Sequence, residues 1–163
     1  MTVVDTTTDL DSLTLIVVTQ LAAPPERVWQ VWTDPRQLER WWGPPSWPAR
    51  FTRHDVVVGG ESRYAMTGPD GTAAGGWWRF TALDEPRSLE FDDGFTGPDG
   101  EPAEDMPVTR ARVDLEPVAG GTRMTVRSRF ASREQMQQVL DMGVVEGLTA
   151  ALAQVDDVLA VPA

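Results

Sequence analysis

The sequence predicts an α+β domain in which a curved antiparallel sheet of about seven strands wraps one long C-terminal helix, with two short helices after the first strand. Three observations predict it. Between Phe51 and Phe130, short runs of alternating apolar and polar residues are separated by Gly, Pro and Asp, the pattern of strands and tight turns. Between Ser132 and Leu159, apolar residues recur with a helical period instead. With 163 residues, 41% of them hydrophobic and 24% charged, the chain is long enough for one domain with a sizeable core and too short for two comfortable ones.

Residues 1–11 are polar and acidic and lack the basic start of a signal peptide, so they read as a flexible lead before a single domain over residues 12–160. Leu13 to Gln20 is a β-branched apolar run and reads as the first strand. Ala22-Ala23-Pro24-Pro25-Glu26 opens a short helix with an apolar stripe of Val28, Val31 and Trp32. Asp34 caps a second helix with Pro35 at its first position, and Trp41-Trp42-Gly43-Pro44-Pro45 ends it. Strands are then expected over Phe51 to Val58, Glu61 to Thr67, Gly76 to Leu83, Arg87 to Phe95, Val108 to Glu116 and Thr122 to Phe130. The last of these alternates cleanly, Met124, Val126, Ser128 and Phe130 against Arg123, Thr125, Arg127 and Arg129, so one sheet face is wet and the other covered.

The cover is the terminal helix, for which Ser132 and Gln135 form a capping box. Its apolar stripe contains Gly143 and Gly147, and each interior Gly costs about 1 kcal/mol of helix propensity relative to Ala. Two causes fit: close packing of this helix on the short helices near Trp32 or Trp41, or space left open for a ligand.

Composition narrows the chemistry. There are 25 acidic and 14 basic residues, a net charge of −11, which disfavours phosphate backbones and anionic lipid surfaces; neither nucleic acid nor membrane is expected as a partner. Every basic residue is Arg, so Schiff-base chemistry is excluded. The chain has no Cys, which excludes thiol nucleophiles, disulfides and thiolate metal sites, and its single His leaves little room for a triad or a His-built metal site. No apolar run reaches the ~18 residues of a membrane span, and the expected location is the cytoplasm. No cofactor and no metal are expected.

What remains is a pocket. Trp42, Tyr64, Trp78, Phe80 and Phe91 would line it, Met66, Met124, Met136 and Leu140 would add adaptable walls, and Gly143 and Gly147 would leave room. Plain core packing accounts for any one of these side chains, so the expectation rests on the set. Tyr64, the only Tyr, would orient a polar ligand end or reach a backbone partner; His54 reads as a surface imidazole. The acidic stretch Asp92, Asp93, Asp99, Glu101, Glu104, Asp105 lacks the ligand alternation of a calcium loop. Thr96 to Asp105 reads as a solvated loop with the length and Gly/Pro content of a lid.

Several segments also carry a resemblance. Ala23-Pro24-Pro25-Glu26-Arg27-Val28-Trp29, the run from Asp34-Pro35 to Trp41-Trp42-Gly43-Pro44, and Gly59-Gly60-Glu61 resemble the activator-of-heat-shock-protein-ATPase homologues. So do Pro69-Asp70-Gly71, Pro86-Arg87-Ser88-Leu89-Glu90-Phe91, Gly120-Gly121-Thr122-Arg123-Met124-Thr125, and Met142-Gly143 with Glu146-Gly147. That family belongs to the START-related ligand-binding superfamily, and the resemblance implies its helix-grip fold around an internal cavity. The resulting expectation is a small cytosolic protein that encloses a hydrophobic or amphipathic small molecule, with no catalysis assigned. Two alternatives stand beside it: a co-chaperone-like partner of a heat-shock ATPase, which the family name suggests, and a cavity-based cyclase or hydrolase using Tyr64 or His54. The oligomeric state is open, a homodimer included.

Overall fold

The alternating runs pair into one sheet. The structure, a computed structural model, describes residues 2–161, with side chains from residue 5 onward. Its strands are β1 (Thr2–Asp9), β2 (Thr14–Leu21), β3 (Ala49–His54), β4 (Glu61–Thr67), β5 (Ala73–Asp84), β6 (Ser88–Phe95), β7 (Thr109–Val118) and β8 (Gly121–Arg129). They form an eight-stranded antiparallel sheet in the order β1-β2-β8-β7-β6-β5-β4-β3. The helices α1 (Pro25–Thr33) and α2 (Pro35–Leu38) fill the crossover from β2 to β3, and α3 (Arg133–Asp141), α4 (Val144–Leu152) and α5 (Val155–Leu159) follow the last strand. This is the helix-grip arrangement, with three corrections to the sequence expectation.

The first is at the N-terminus. Met1 lies outside the described residues, but Thr2–Asp9 is an edge strand hydrogen-bonded to β2 and not a flexible lead. Residues 5–9 are all exposed, so ladder bonds hold β1 with little apolar burial, and a search for a buried face misses it. The second is β3, which ends at His54. Val56 to Val58 look like strand residues, yet the chain turns there, with Gly59 at φ 84° and the Gly60 N–H donating to the Val57 carbonyl at 2.8 Å.

The third is the terminal helix, which is three segments. Gly143 sits at φ 86°, ψ 27°, a left-handed conformation that ends α3 and starts α4. Its cost in helix propensity therefore reflects a helix break rather than space for a ligand. Between α4 and α5 the backbone at Ala153 and Gln154 stays right-handed, so the chain tightens without changing hand. Gln154 Nε2 donates to the Gly43 carbonyl at 2.6 Å, and Arg27 donates to the carbonyls of Val158 (3.0 Å) and Val161 (2.7 Å). These bonds satisfy carbonyls that a helix end would leave open and fasten α5 to the α1–α2 region. At the other end, the Ser132 hydroxyl accepts from the Gln135 N–H at 3.1 Å, the cap expected for α3.

The core follows from the register. Leu15, Val17 and Leu21 of β2, Met124 and Val126 of β8, Val113 and Leu115 of β7, and Leu89 and Phe91 of β6 all point to one face and are buried. Trp32, Leu38 and Trp41 press on this face from the α1–α2 region, with the Trp32 indole N–H directed at Met124 Sδ, 3.3 Å away. Arg79, Arg110, Arg123, Arg127 and Arg129 take the opposite, exposed face.

His54 is not a surface imidazole. Its Nε2 lies 2.9 Å from the Trp32 carbonyl and its Nδ1 2.7 Å from the Ser62 hydroxyl, among the rings of Phe51, Trp78 and Phe80. A carbonyl only accepts, so Nε2 carries the hydrogen and Nδ1 accepts from Ser62. Burial lowers its pKa below 6.5, with the Trp32 carbonyl opposing. The neutral ring thus ties β3 to α1, and protonating it would leave Ser62, which is fully buried, without its acceptor.

Two outcomes are expected. Gly143→Ala lowers stability by about 1–2 kcal/mol because an L-residue is strained at positive φ. Gly147→Ala, whose added Cβ meets nothing within 4 Å, raises it by up to about 1 kcal/mol; urea melts of both variants check the opposite signs. His54→Gln costs about 1–3 kcal/mol at about pH 7.5. Because the folded pKa is depressed, His54 contributes fully above its unfolded value of 6.5 and less as the pH falls through the folded one. Thermal melts from pH 7.5 to 5 should therefore show the gap between wild type and variant narrowing on acidification.

Candidate functional site

A cavity of about 280 Å³ lies between the sheet and the α3–α4 segment. Its sheet-side wall comes from residues two apart on neighbouring strands. Tyr64 and Met66 line it from β4, Phe91, Asp93 and Phe95 from β6, and Ala111, Val126 and Ser128 from β7 and β8. Val139, Val144, Gly147, Leu148 and Ala151 form the helical wall, and Trp32, Trp42 and Pro44 close the end near α1 and α2. Met142 lines the cavity and is 52% exposed, so the space reaches the surface at the α3–α4 break.

Gly147 is the opening in the helical wall. A Cβ placed there meets no heavy atom within 4 Å, whereas tight packing would crowd it. Close approach of the helix to another element is therefore not the reason for this glycine; it faces empty space. Gly76 has the opposite role. It pairs with Tyr64 across β4 and β5, and a Cβ on it would collide with the Tyr64 ring. Lacking one, β5 lets that ring lie across the strand and turn its hydroxyl toward β6.

The sequence-derived set divides in two. Trp42, Tyr64, Met66, Phe91 and Gly147 line the cavity together. Trp78 and Phe80 do not: both are buried behind it, with Trp78 stacked on Phe91 at 4.1 Å between ring centroids. Met124 and Met136 are fully buried in core packing, Leu140 is partly buried against the core, and Gly143 makes the helix break. The expected lid also lies elsewhere: no residue of Thr96 to Asp105 lines the cavity, and Glu101 is 3.5 Å from Arg63 in an ion pair outside it.

Asp93 is the residue that sequence reasoning missed, having been read with the acidic loop. A signal was available, since Leu89, Phe91, Asp93 and Phe95 share one face of β6. In the sheet Asp93 stands between Trp78 of β5 and Thr109 of β7. The Tyr64 hydroxyl donates toward its Oδ1 at 3.4 Å, a long hydrogen bond. Burial pushes the Asp93 carboxyl up to about 7, and nearby donors on Tyr64 and Trp78 offset this only in part. Burial, and then the Asp93 carboxyl, push the Tyr64 hydroxyl well above its ordinary value. The indole N–H groups of Trp42 and Trp78 favour the ionised forms of Tyr64 and Asp93 from nearby, yet neither makes a hydrogen bond of good geometry. The result is an apolar chamber with one polar corner, where hydrogen-bonding capacity is left unused. His54, with both ring nitrogens engaged, does not line it. Among the described residues no group of three or more His, Asp and Glu side chains is arranged to hold a metal, and no helix is long and apolar enough to cross a membrane.

Solved structures share this architecture. A solution structure of a protein from Arthrobacter aurescens is 52% identical, covering 99% of this chain and 94% of that one, with a TM-score of 0.94. A crystal structure of a protein from Mycobacterium smegmatis is 48% identical over 99% of both chains, with a TM-score of 0.90. An AHSA1 protein from Silicibacter pomeroyi shares the fold at 21% identity, covering 90% of this chain and 97% of that one, with a TM-score of 0.72. No curated protein matches significantly. The profile of the family described as Activator of Hsp90 ATPase homolog 1-like protein matches residues 22–160, and the chain belongs to that family.

Proposed function

We propose that this protein encloses a hydrophobic or amphipathic small molecule in the chamber between the sheet and α3–α4. The observation that carries this reading is Gly147: a helical residue that gives up propensity, lines the chamber, and has open space where a side chain would sit. A volume of about 280 Å³ is just below the usual range of small-molecule pockets and suits a modest guest. The walls fit the role, being mostly apolar with few polar groups to fix orientation. Rigid rings supply most of the sheet side with Met66 beside them, and Met142 supplies an adaptable contact on the helical side. Entry through the α3–α4 break, beside Met142, requires no rearrangement of the sheet.

A catalytic role has less support. Tyr64 and Asp93 form a single polar corner, and His54 is engaged elsewhere as a structural tie. A co-chaperone role rests on the family's description alone.

The direct test is native mass spectrometry of freshly purified protein, together with titration of an environment-sensitive naphthalene dye. Wild type should carry or take up one small molecule per chain. Gly147→Leu, which fills the open space, should fold normally and lose dye affinity by roughly tenfold or more, the value of burying a few methylenes and excluding the guest. Equal dye binding by both proteins, or none by wild type, would overturn the reading.

A further inference from the structure

The chamber's polar corner holds a carboxyl that has no cationic partner among the described residues, and this points to the kind of guest. Asp93 is the one carboxyl among its lining residues, and Tyr64 is the only other ionisable side chain there. From β5 and β7 its cross-strand neighbours are Trp78 and Thr109, and the helical wall presents Val139, Met142, Val144, Gly147, Leu148 and Ala151. None of these is ionisable. Among the described residues no Arg or His pairs with Asp93, whereas its neighbour Asp92, on the opposite face, has Arg110 at 3.7 Å. Every group aimed at Asp93 is a neutral donor. Around it stand aromatic rings: Tyr64 and Trp42 at 6.1 Å edge to face, and Phe91 and Phe95 two residues away on either side along the strand.

A half-buried carboxylate without a cationic partner among the described residues, set among aromatic rings in an apolar chamber, is the recognition chemistry of an ammonium group. We propose that the cavity selects a hydrophobic amine, its ammonium held between the Asp93 carboxylate and the rings of Trp42, Tyr64 and Phe91, and its apolar body lying against Met66, Val126, Val139 and Leu148. This rests on the enclosed-ligand reading above and adds the ligand's class. An anionic amphiphile such as a fatty acid would place like charges together, and a neutral alcohol would leave the carboxyl without a counter-charge.

The empty and filled states differ in protonation. With its pKa near 7, Asp93 is about half protonated in the empty chamber at neutral pH; an entering ammonium favours the ionised form and drives that proton off. The amine therefore binds more weakly as the pH falls below about 7, where Asp93 must first lose its proton, while a neutral ligand of the same shape shows no such dependence.

Calorimetric titration of octylamine, octanol and octanoate into wild type and Asp93→Asn at about pH 8 tests this. Octylamine should bind wild type roughly tenfold or more tighter than octanol, octanoate should bind weakest, and Asp93→Asn should erase the amine's advantage while changing octanol affinity less than about twofold. In wild type at about pH 7, buffers of different ionisation enthalpy should reveal release of about half a proton on amine binding, a readout that needs no variant. Octanol or octanoate binding wild type as tightly as octylamine overturns the amine assignment and leaves the cavity reading standing. No proton release on amine binding overturns it as well. Failure of all three compounds and of the dye to bind wild type removes both readings at once.

Discussion

The packing around Trp78 is the constraint on which the chamber depends. Its ring is fully buried, stacked on Phe91 at 4.1 Å and met edge-on by Trp42 at 4.9 Å and Phe51 at 5.7 Å. Trp42 in turn meets Trp41 at 5.6 Å, and Trp41 meets Trp32 at 4.7 Å, whose indole N–H points at Met124. Each contact is of a kind worth about 0.5–1.5 kcal/mol beyond area burial, and each ring has only two side-chain torsions to fix. A wall made this way does not slump into an adjacent void as a wall of methionines would. The sheet side of the cavity is therefore rigid, and the helical side decides whether space remains. There the chain places Gly147, and it spans the space with segments whose fastening points lie beyond it, at Ser132 and at the Arg27 and Gln154 contacts.

Much of this was legible in the sequence because it depends on alternation. Strand residues two apart share a face, so Tyr64 with Met66, and Phe91 within β6, could be assigned to the covered side before any coordinates. Alternation says nothing about depth along a strand. Trp78 and Phe80 share a face but lie behind the chamber, packed by Phe91 and His54, and Met124 lies beneath Trp32; these positions are set by strand order and register, which only the folded sheet defines. The two glycines illustrate the same boundary. Both break helix propensity, yet one is explained by its φ of 86° and the other by the emptiness beside it, and neither property is written in the residue type.

Asp93 marks a different gap. Its place in the alternation of β6 was open to inspection, but an Asp-Asp pair ahead of an acidic, Gly-rich loop looks solvated, and most such carboxylates are. The two side chains of that pair have opposite fates. Asp92 faces outward within 3.7 Å of Arg110, while Asp93 turns into the chamber under the Tyr64 hydroxyl. One residue of strand pleat separates a cheap surface ion pair from a half-buried acid facing the chamber.

A raised pKa makes that half-buried acid tolerable. A fully buried carboxylate without a cation costs several kcal/mol, a large share of a fold's whole stability of about 5–15 kcal/mol. With its pKa near 7, Asp93 lowers that cost by keeping its proton about half the time at neutral pH, and the neutral acid needs only the weak donors that Tyr64 and the indoles provide. The long Tyr64 contact and the unpaired indole N–H groups leave this corner loosely arranged around a carboxyl that is near its midpoint of protonation at neutral pH. On the amine proposal, the proton and the guest's positive charge would replace one another at the same carboxyl.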